Sequence, residues 1–87
     1  MNSYSKIIKP NTNQLINDNT NLVKKISWHL HGRVNSIIEI EDVIQIGMLG
    51  LISAAQNYVP QKNASFASYA SIRIKGEILD YLRKSSN

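Results

Sequence analysis

The residues able to do chemistry in this chain are basic and aromatic, and they gather toward its C-terminal end. Arg73, Lys75, Arg83 and Lys84, with Lys62 ahead of them, can contact phosphates. Phe66 and Tyr69 offer flat faces, and stacking on a base is worth roughly 1–3 kcal/mol in single-strand binders. Ser65, Ser68 and Ser71 leave room for close approach and carry hydroxyl donors. Phosphate contact beside base stacking is binding chemistry, and its natural ligand is nucleic acid. A plainer account makes Phe66 and Tyr69 core residues and the charges a solvated face, and periodicity alone favours it. Trp28, between Ser27 and His29, reads in the same way as a core or groove residue.

Catalysis finds little support. His29 and His31 are two apart, so on a helix they point to different faces and do not easily share a metal. We read them as partly exposed helix histidines. The chain has no Gly-rich phosphate loop, no H-E-x-x-H and no G-x-S-x-G. Glu39, Glu41 and Asp42 cluster without the spacing of an EF-hand. Glu77 and Asp80 are better explained as i, i+4 partners of Arg73 and Lys84 on an exposed helix face. With no cysteine there is no thiolate ligand, no disulfide and no cysteine nucleophile. We expect no catalytic residue, no metal and no cofactor.

Charge points the same way as the aromatic–basic cluster. Of the net +4, residues 1–60 contribute +1 and residues 61–87 contribute +3. A basic C-terminal third fits a polyanion partner. Eighty-seven residues fit one small domain, and 43% apolar content supplies a core without resembling a membrane protein. No run approaches the roughly 20 apolar residues that span a bilayer, and the opening MNSYSKIIKPNTNQ lacks a signal-peptide core. The expectation is a cytoplasmic protein with no membrane partner.

The elements that must hold these residues are helices. Residues 1–12 read as a loose polar arm. From Thr12 onward, Leu15, Ile16, Leu22, Val23, Ile26 and Leu30 recur at helical spacing, with Thr12 or Asn13 as cap and Gly32 as stop. The run NDNTN at 17–21 is poor helix material, so this helix frays or breaks there. A second helix follows in IEIEDVIQIGMLGLISAAQNY, with Glu41 and Asp42 favourably placed in its first turn. Its inward face is expected at Ile44, Met48, Leu51 and Ala55, with Ile52 beside it. Gly47 and Gly50 each cost about 1 kcal/mol against Ala in mid-helix, so another helix should approach closely there. Pro60 ends this element, and Ser65 caps a third helix with a stripe of Phe66, Tyr69, Ala70, Ile74, Ile78 and Leu82. The fold class is therefore all-α: three helices, or four if the first breaks.

Three stretches carry a resemblance: LVKKISWHL, then EDVIQIGMLGLISAAQNY, then FASYASIRIKGEILDYLR. Together they resemble the second conserved region of bacterial sigma-70 family RNA polymerase sigma factors, and most closely the flagellar (motility) class. The likeness covers roughly residues 15 to 84, so that 13–87 would form the domain. It implies that the helix matching Glu41 to Tyr58 docks on the clamp coiled coil of the largest subunit of core RNA polymerase. Asp42 and Gln45 match polar contact positions, and Met48 and Ile52 fall on the same surface. Ile46 stands where many relatives carry an acidic residue. The helix matching Phe66 to Arg83 would hold the non-template strand of the −10 promoter element. Phe66, Tyr69, Ser71, Arg73 and Lys75 inherit that role, with Tyr69 the leading base contact. A tryptophan pair in primary sigma factors is replaced here by Ile72 and Arg73, as is usual in the flagellar class. The resemblance also admits an anti-sigma factor as partner. Relatives continue past the position of Lys84, so the chain reads as a fragment or a truncated product. Two other readings follow from the sequence. One is a truncated sigma-like protein that occupies the clamp without supporting initiation. The other is a helical DNA-binding module independent of polymerase, which would bind duplex tightly and with steep salt dependence.

Overall fold

Four helices account for the described part of the chain, residues 11–34, 37–62 and 64–85 of a computed structural model. They are α1 (Thr12–Asp18), α2 (Thr20–Arg33), α3 (Ile40–Asn57) and α4 (Phe66–Ser85). Among the described residues there is no strand, and no helix is long and apolar enough to cross a membrane.

The Asn-rich run does break the first helix. At Asn19 the backbone leaves the helical region (φ −122°, ψ 15°), and its side-chain amide donates to the Leu15 carbonyl at 2.7 Å. An Asn side chain offers the backbone this alternative to the helical ladder. Asn19 thus closes α1 and opens α2. The cap of α1 is Asn11, whose side-chain oxygen accepts from the Gln14 N–H at 3.2 Å, and not Thr12 or Asn13. Of the arm expected at 1–12, Thr12 is the first residue of α1 and Asn11 is its cap, while residues 1–10 lie outside the described residues. α2 runs one residue beyond the expected stop at Gly32.

The bundle of α2, α3 and α4 closes around Val23, Ile26, Val43, Leu51, Ala54, Ala70, Ile74, Ile78 and Leu82. On α3 the inward face is only partly the expected one: Leu51 and Ala55 are buried as expected, but the face is turned toward Val43 and the glycines. Val43, Gly47, Gly50, Leu51, Ala54 and Ala55 are buried, whereas Ile44 and Met48 sit at the flank, only partly covered. The glycines explain the rotation. A Cβ at Gly50 would stand 2.9 Å from the Ile74 Cα and 3.0 Å from the Arg73 carbonyl oxygen. One at Gly47 would meet Val23 Cγ1 at 2.8 Å and Ser27 Oγ at 3.2 Å. The close approach anticipated from two mid-helix glycines is real, and it turns the glycine side of α3 inward. Ser27 opposite Gly47 is fully buried, and its hydroxyl has no hydrogen-bond partner.

α4 follows the sequence pattern closely. Ala70, Ile74, Ile78 and Leu82 form one buried i, i+4 row. The Ser65 hydroxyl accepts from the Ser68 N–H at 3.2 Å, which is the expected cap. The α3–α4 loop is braced where the Tyr58 hydroxyl donates to the Ala64 carbonyl at 2.7 Å.

Candidate nucleic-acid interface and docking face

The outer face of α3 is set by the glycine contacts on its inner side. Residues 42, 45, 49, 52 and 56 recur at helical spacing on the side away from Gly47 and Gly50. Asp42 and Gln45 are exposed, and Met48 and Ile52 are half-buried at the edge of this face. Leu49 lies among them and is 57% exposed. Sequence reasoning missed Leu49. Its signal was available, because an apolar residue seven after Asp42 falls off any inward stripe that contains Val43 and Leu51. Ile46 is partly buried against the core.

On α4 the expected nucleic-acid residues divide between flanks. Tyr69, Arg73, Glu77 and Tyr81 form an i, i+4 row on the α3 side, where Arg73 Nη2 donates to Ser53 Oγ at 2.6 Å. The Arg73–Glu77 pair expected from spacing is thus replaced by a bond across to α3. Ser71, Lys75, Leu79 and Arg83 form the row about 200° away around the helix. Between the rows, on the outer side, Ile72 is 72% exposed. Ile72 and Leu79, seven apart, share that outer side, with Lys75 and Arg83 alongside.

Phe66 and Tyr69 are half-buried, and both pack on Tyr58. The Tyr58 and Phe66 rings meet edge to face at 5.2 Å, and Tyr58 and Tyr69 are 5.7 Å apart at a tilt of 37°. Three aromatics thereby join the end of α3 to the start of α4, close to exposed Lys62. Phe66 and Tyr69 fall between the two sequence readings, since both pack against the core yet are only partly buried. The serine hydroxyls are engaged locally. Ser71 Oγ donates to the Ala67 carbonyl at 2.7 Å, and Ser65 Oγ donates to Ser68 Oγ at 3.1 Å. Lys84 pairs with Asp80 at 3.1 Å as expected, an exposed contact worth roughly 0–1 kcal/mol.

Elsewhere, His31 Nε2 lies 2.7 Å from the Ile38 carbonyl oxygen and ties the end of α2 to the approach of α3. His29 is exposed, and no cluster of metal-ligating side chains occurs among the described residues. Trp28 is 58% exposed, so it is no core residue.

The profile of the sigma-70 region 2 family matches residues 15–87. This chain belongs to that family. The RNA polymerase sigma factor FliA of Pseudomonas aeruginosa is 48% identical over 82 residues, taking in 93% of this chain and 33% of that protein. The RNA polymerase sigma-D factor of Bacillus subtilis is 36% identical over 63 residues, covering 68% of this chain and 24% of its own length. The RNA polymerase sigma factor FliA of Escherichia coli is 36% identical over 62 residues, covering 71% and 26%. The chain spans a third or less of the length of these relatives. The flagellar-class resemblance drawn from the sequence stands with them. The chain's all-α fold agrees with that membership.

Proposed function

We propose that this region 2 binds core RNA polymerase through the outer face of α3 and engages the opened −10 promoter element through α4. The observation that carries the reading is the outer face of α3 itself. It presents an exposed apolar residue, Leu49, between Asp42, Gln45 and Gln56, with Met48 and Ile52 at its edge. An apolar centre rimmed by polar groups is the anatomy of a protein interface. The clamp coiled coil of the largest subunit is the partner implied by the family motif. On α4, Tyr69 and Phe66 would stack on displaced non-template bases, while Lys62, Lys75 and Arg83 would follow phosphates. Of the two positions that hold tryptophan in primary sigma factors, Ile72 projects outward and Arg73 turns to Ser53. Ile72 is therefore the apolar group available to press against the edge of the melted duplex.

The test is equilibrium binding of the chain to core RNA polymerase with and without the clamp coiled coil. We expect binding that requires the coiled coil and that weakens at least tenfold for Asp42→Ala combined with Gln45→Ala. Equal affinity of that double variant and the parent would overturn the reading.

A further inference from the structure

We infer that α2 carries a second row of phosphate contacts, Lys25 and Arg33 with His29 between them. Facing Lys75 of α4, this row makes a two-sided basic groove for a DNA strand. The inference rests on the reading of α4 as the nucleic-acid face, and it extends that face onto a second helix.

The groove follows from how the helices meet. A Cβ at Gly47 would find Val23 Cγ1 at 2.8 Å, Ile78 Cδ1 at 3.1 Å and Ser27 Oγ at 3.2 Å, so α2, α3 and α4 converge there. Both neighbours run antiparallel to α3. Along α4, Ile78 lies at Gly47 and Ile74 at Gly50. Along α2, Val23 and Ser27 lie at Gly47, and His31 reaches the Ile38 carbonyl. α2 and α4 therefore run in the same direction, packed side by side on α3. Val23, Ser27 and His31 mark the side of α2 turned to α3. Leu22, Ile26 and Leu30 pack on the core beside them and mark the side turned to α4. Lys25, His29 and Arg33 recur at i, i+4 and i+8 along the solvent edge of that second side, away from α3. On α4 the row of Tyr69, Arg73, Glu77 and Tyr81 faces α3, so the flank of Ser71 and Lys75 is the one beside α2. Half-buried Ser71 agrees with this. Lys25, His29, Arg33 and Lys75 are all exposed, and they line the two walls of one groove on the face opposite α3. Packed helices lie about 8–10 Å apart, which leaves both walls within reach of one sugar–phosphate backbone.

Charge selects the occupant. The 14 residues of α2 include no carboxylate, so its cations have no i, i+4 partner within the helix. A face that meets only water commonly mixes both signs. The helix dipole favours Arg33 in the last turn but gives no reason for Lys25 in the middle. The carboxylates of α4 are turned elsewhere. The Glu77 stem lies against Gly50 of α3, and Asp80 pairs with Lys84 at 3.1 Å. Asp42, on the outer face of α3, is across the bundle. A row of cations without counter-charge, continuous with Lys75 and with the exposed apolar groups Ile72 and Leu79, fits a polyanion that also carries flat apolar surfaces. A nucleic-acid strand is that ligand.

The experiment measures binding of fork-junction promoter DNA by the whole chain with core RNA polymerase, and of the single strand by the chain alone, across a salt series. The variants are Lys25→Ala, Lys25→Ala with Arg33→Ala, Lys25→Arg, Lys24→Ala and Lys75→Ala. Each is first checked for parental helicity by circular dichroism, and its affinity for core polymerase is measured in parallel. We expect Lys25→Ala with Arg33→Ala to weaken DNA binding about tenfold or more. The slope of log K against log salt should flatten by about 0.7–0.9 for each lost contact, with core affinity unchanged. Lys25→Arg should keep the parental slope, and Lys24→Ala, on another side of α2, should do less than Lys25→Ala. Parental DNA affinity and slope in the double variant, with loss in Lys75→Ala, overturn the α2 row and leave the reading of α4 intact. Parental behaviour in every variant overturns both. Equal losses in Lys24→Ala and Lys25→Ala overturn the groove in favour of a general charge effect. Weakened core binding with a parental salt slope for DNA overturns it in favour of an acidic protein partner.

Discussion

The most informative single residue is Ser27, whose buried hydroxyl has no partner. Leaving a polar group unpaired in a core costs about 1–3 kcal/mol, and alanine removes that cost while preserving the fit against Gly47. Ser27→Ala should therefore stabilise the domain by about 1 kcal/mol in urea unfolding. A loss of stability would show that the hydroxyl is bonded after all. Tyr69 is a different case, because it is packed on Tyr58 and is also the leading base contact. In the proposed role, Tyr69→Leu should weaken binding of fork-junction promoter DNA by the holoenzyme about tenfold or more, in line with roughly 1–3 kcal/mol per stacked base. Unchanged DNA binding would assign the ring to the core alone. At this scale the sequence was only partly legible. Lys84 with Asp80 could be read from spacing within one helix. Arg73 could not, because its partner Ser53 is twenty residues away on α3, and only the packed structure brings them together.

Among the elements, α4 was legible and α3 was not, for one physical reason. In α4, large apolar residues occupy a single i, i+4 row with polar or small residues around it, so the pattern admits one inward face. In α3, Val43, Ile44, Ile46, Met48, Leu49, Leu51 and Ile52 are apolar on nearly every side, and periodicity cannot choose among them. The glycines choose, because only a side without Cβ atoms allows α4 so close. Substitutions at glycine should expose this. Gly50→Ala drives a Cβ against the backbone of α4, which cannot swing aside, and should cost about 2–3 kcal/mol despite alanine's better helix propensity. Gly76→Ala on the outer side of α4 meets nothing within 4 Å and should stabilise by about 0.5–1 kcal/mol. Thermal unfolding of the two variants separates these outcomes. Similar shifts for both would mean that α3 and α4 are not in backbone contact.

Taken whole, the proposed docking face on one helix and the proposed nucleic-acid face on the next have opposite charge preferences. α3 opens with Glu41 and Asp42, while the chain from residue 61 onward carries net +3. This arrangement predicts that the isolated chain binds duplex promoter DNA weakly, with affinity emerging once polymerase is bound and the strands separate. Filter binding over a salt series checks it, and tight duplex binding by the chain alone would favour a polymerase-independent module. The seam at Gly50 carries a consequence for how such domains diversify. Because Gly50 brings the backbones of α3 and α4 together, the proposed docking residues Asp42, Gln45 and Leu49 take no part in holding the two helices together. Phe66, Tyr69 and Arg73 of the proposed nucleic-acid face do. The outer face of α3 can therefore be rewritten, by inheritance or by design, without repacking the interior. A region 2 with a different docking face is then a handful of surface changes away from this one, whereas a change at Tyr69 or Arg73 also disturbs the seam between the helices.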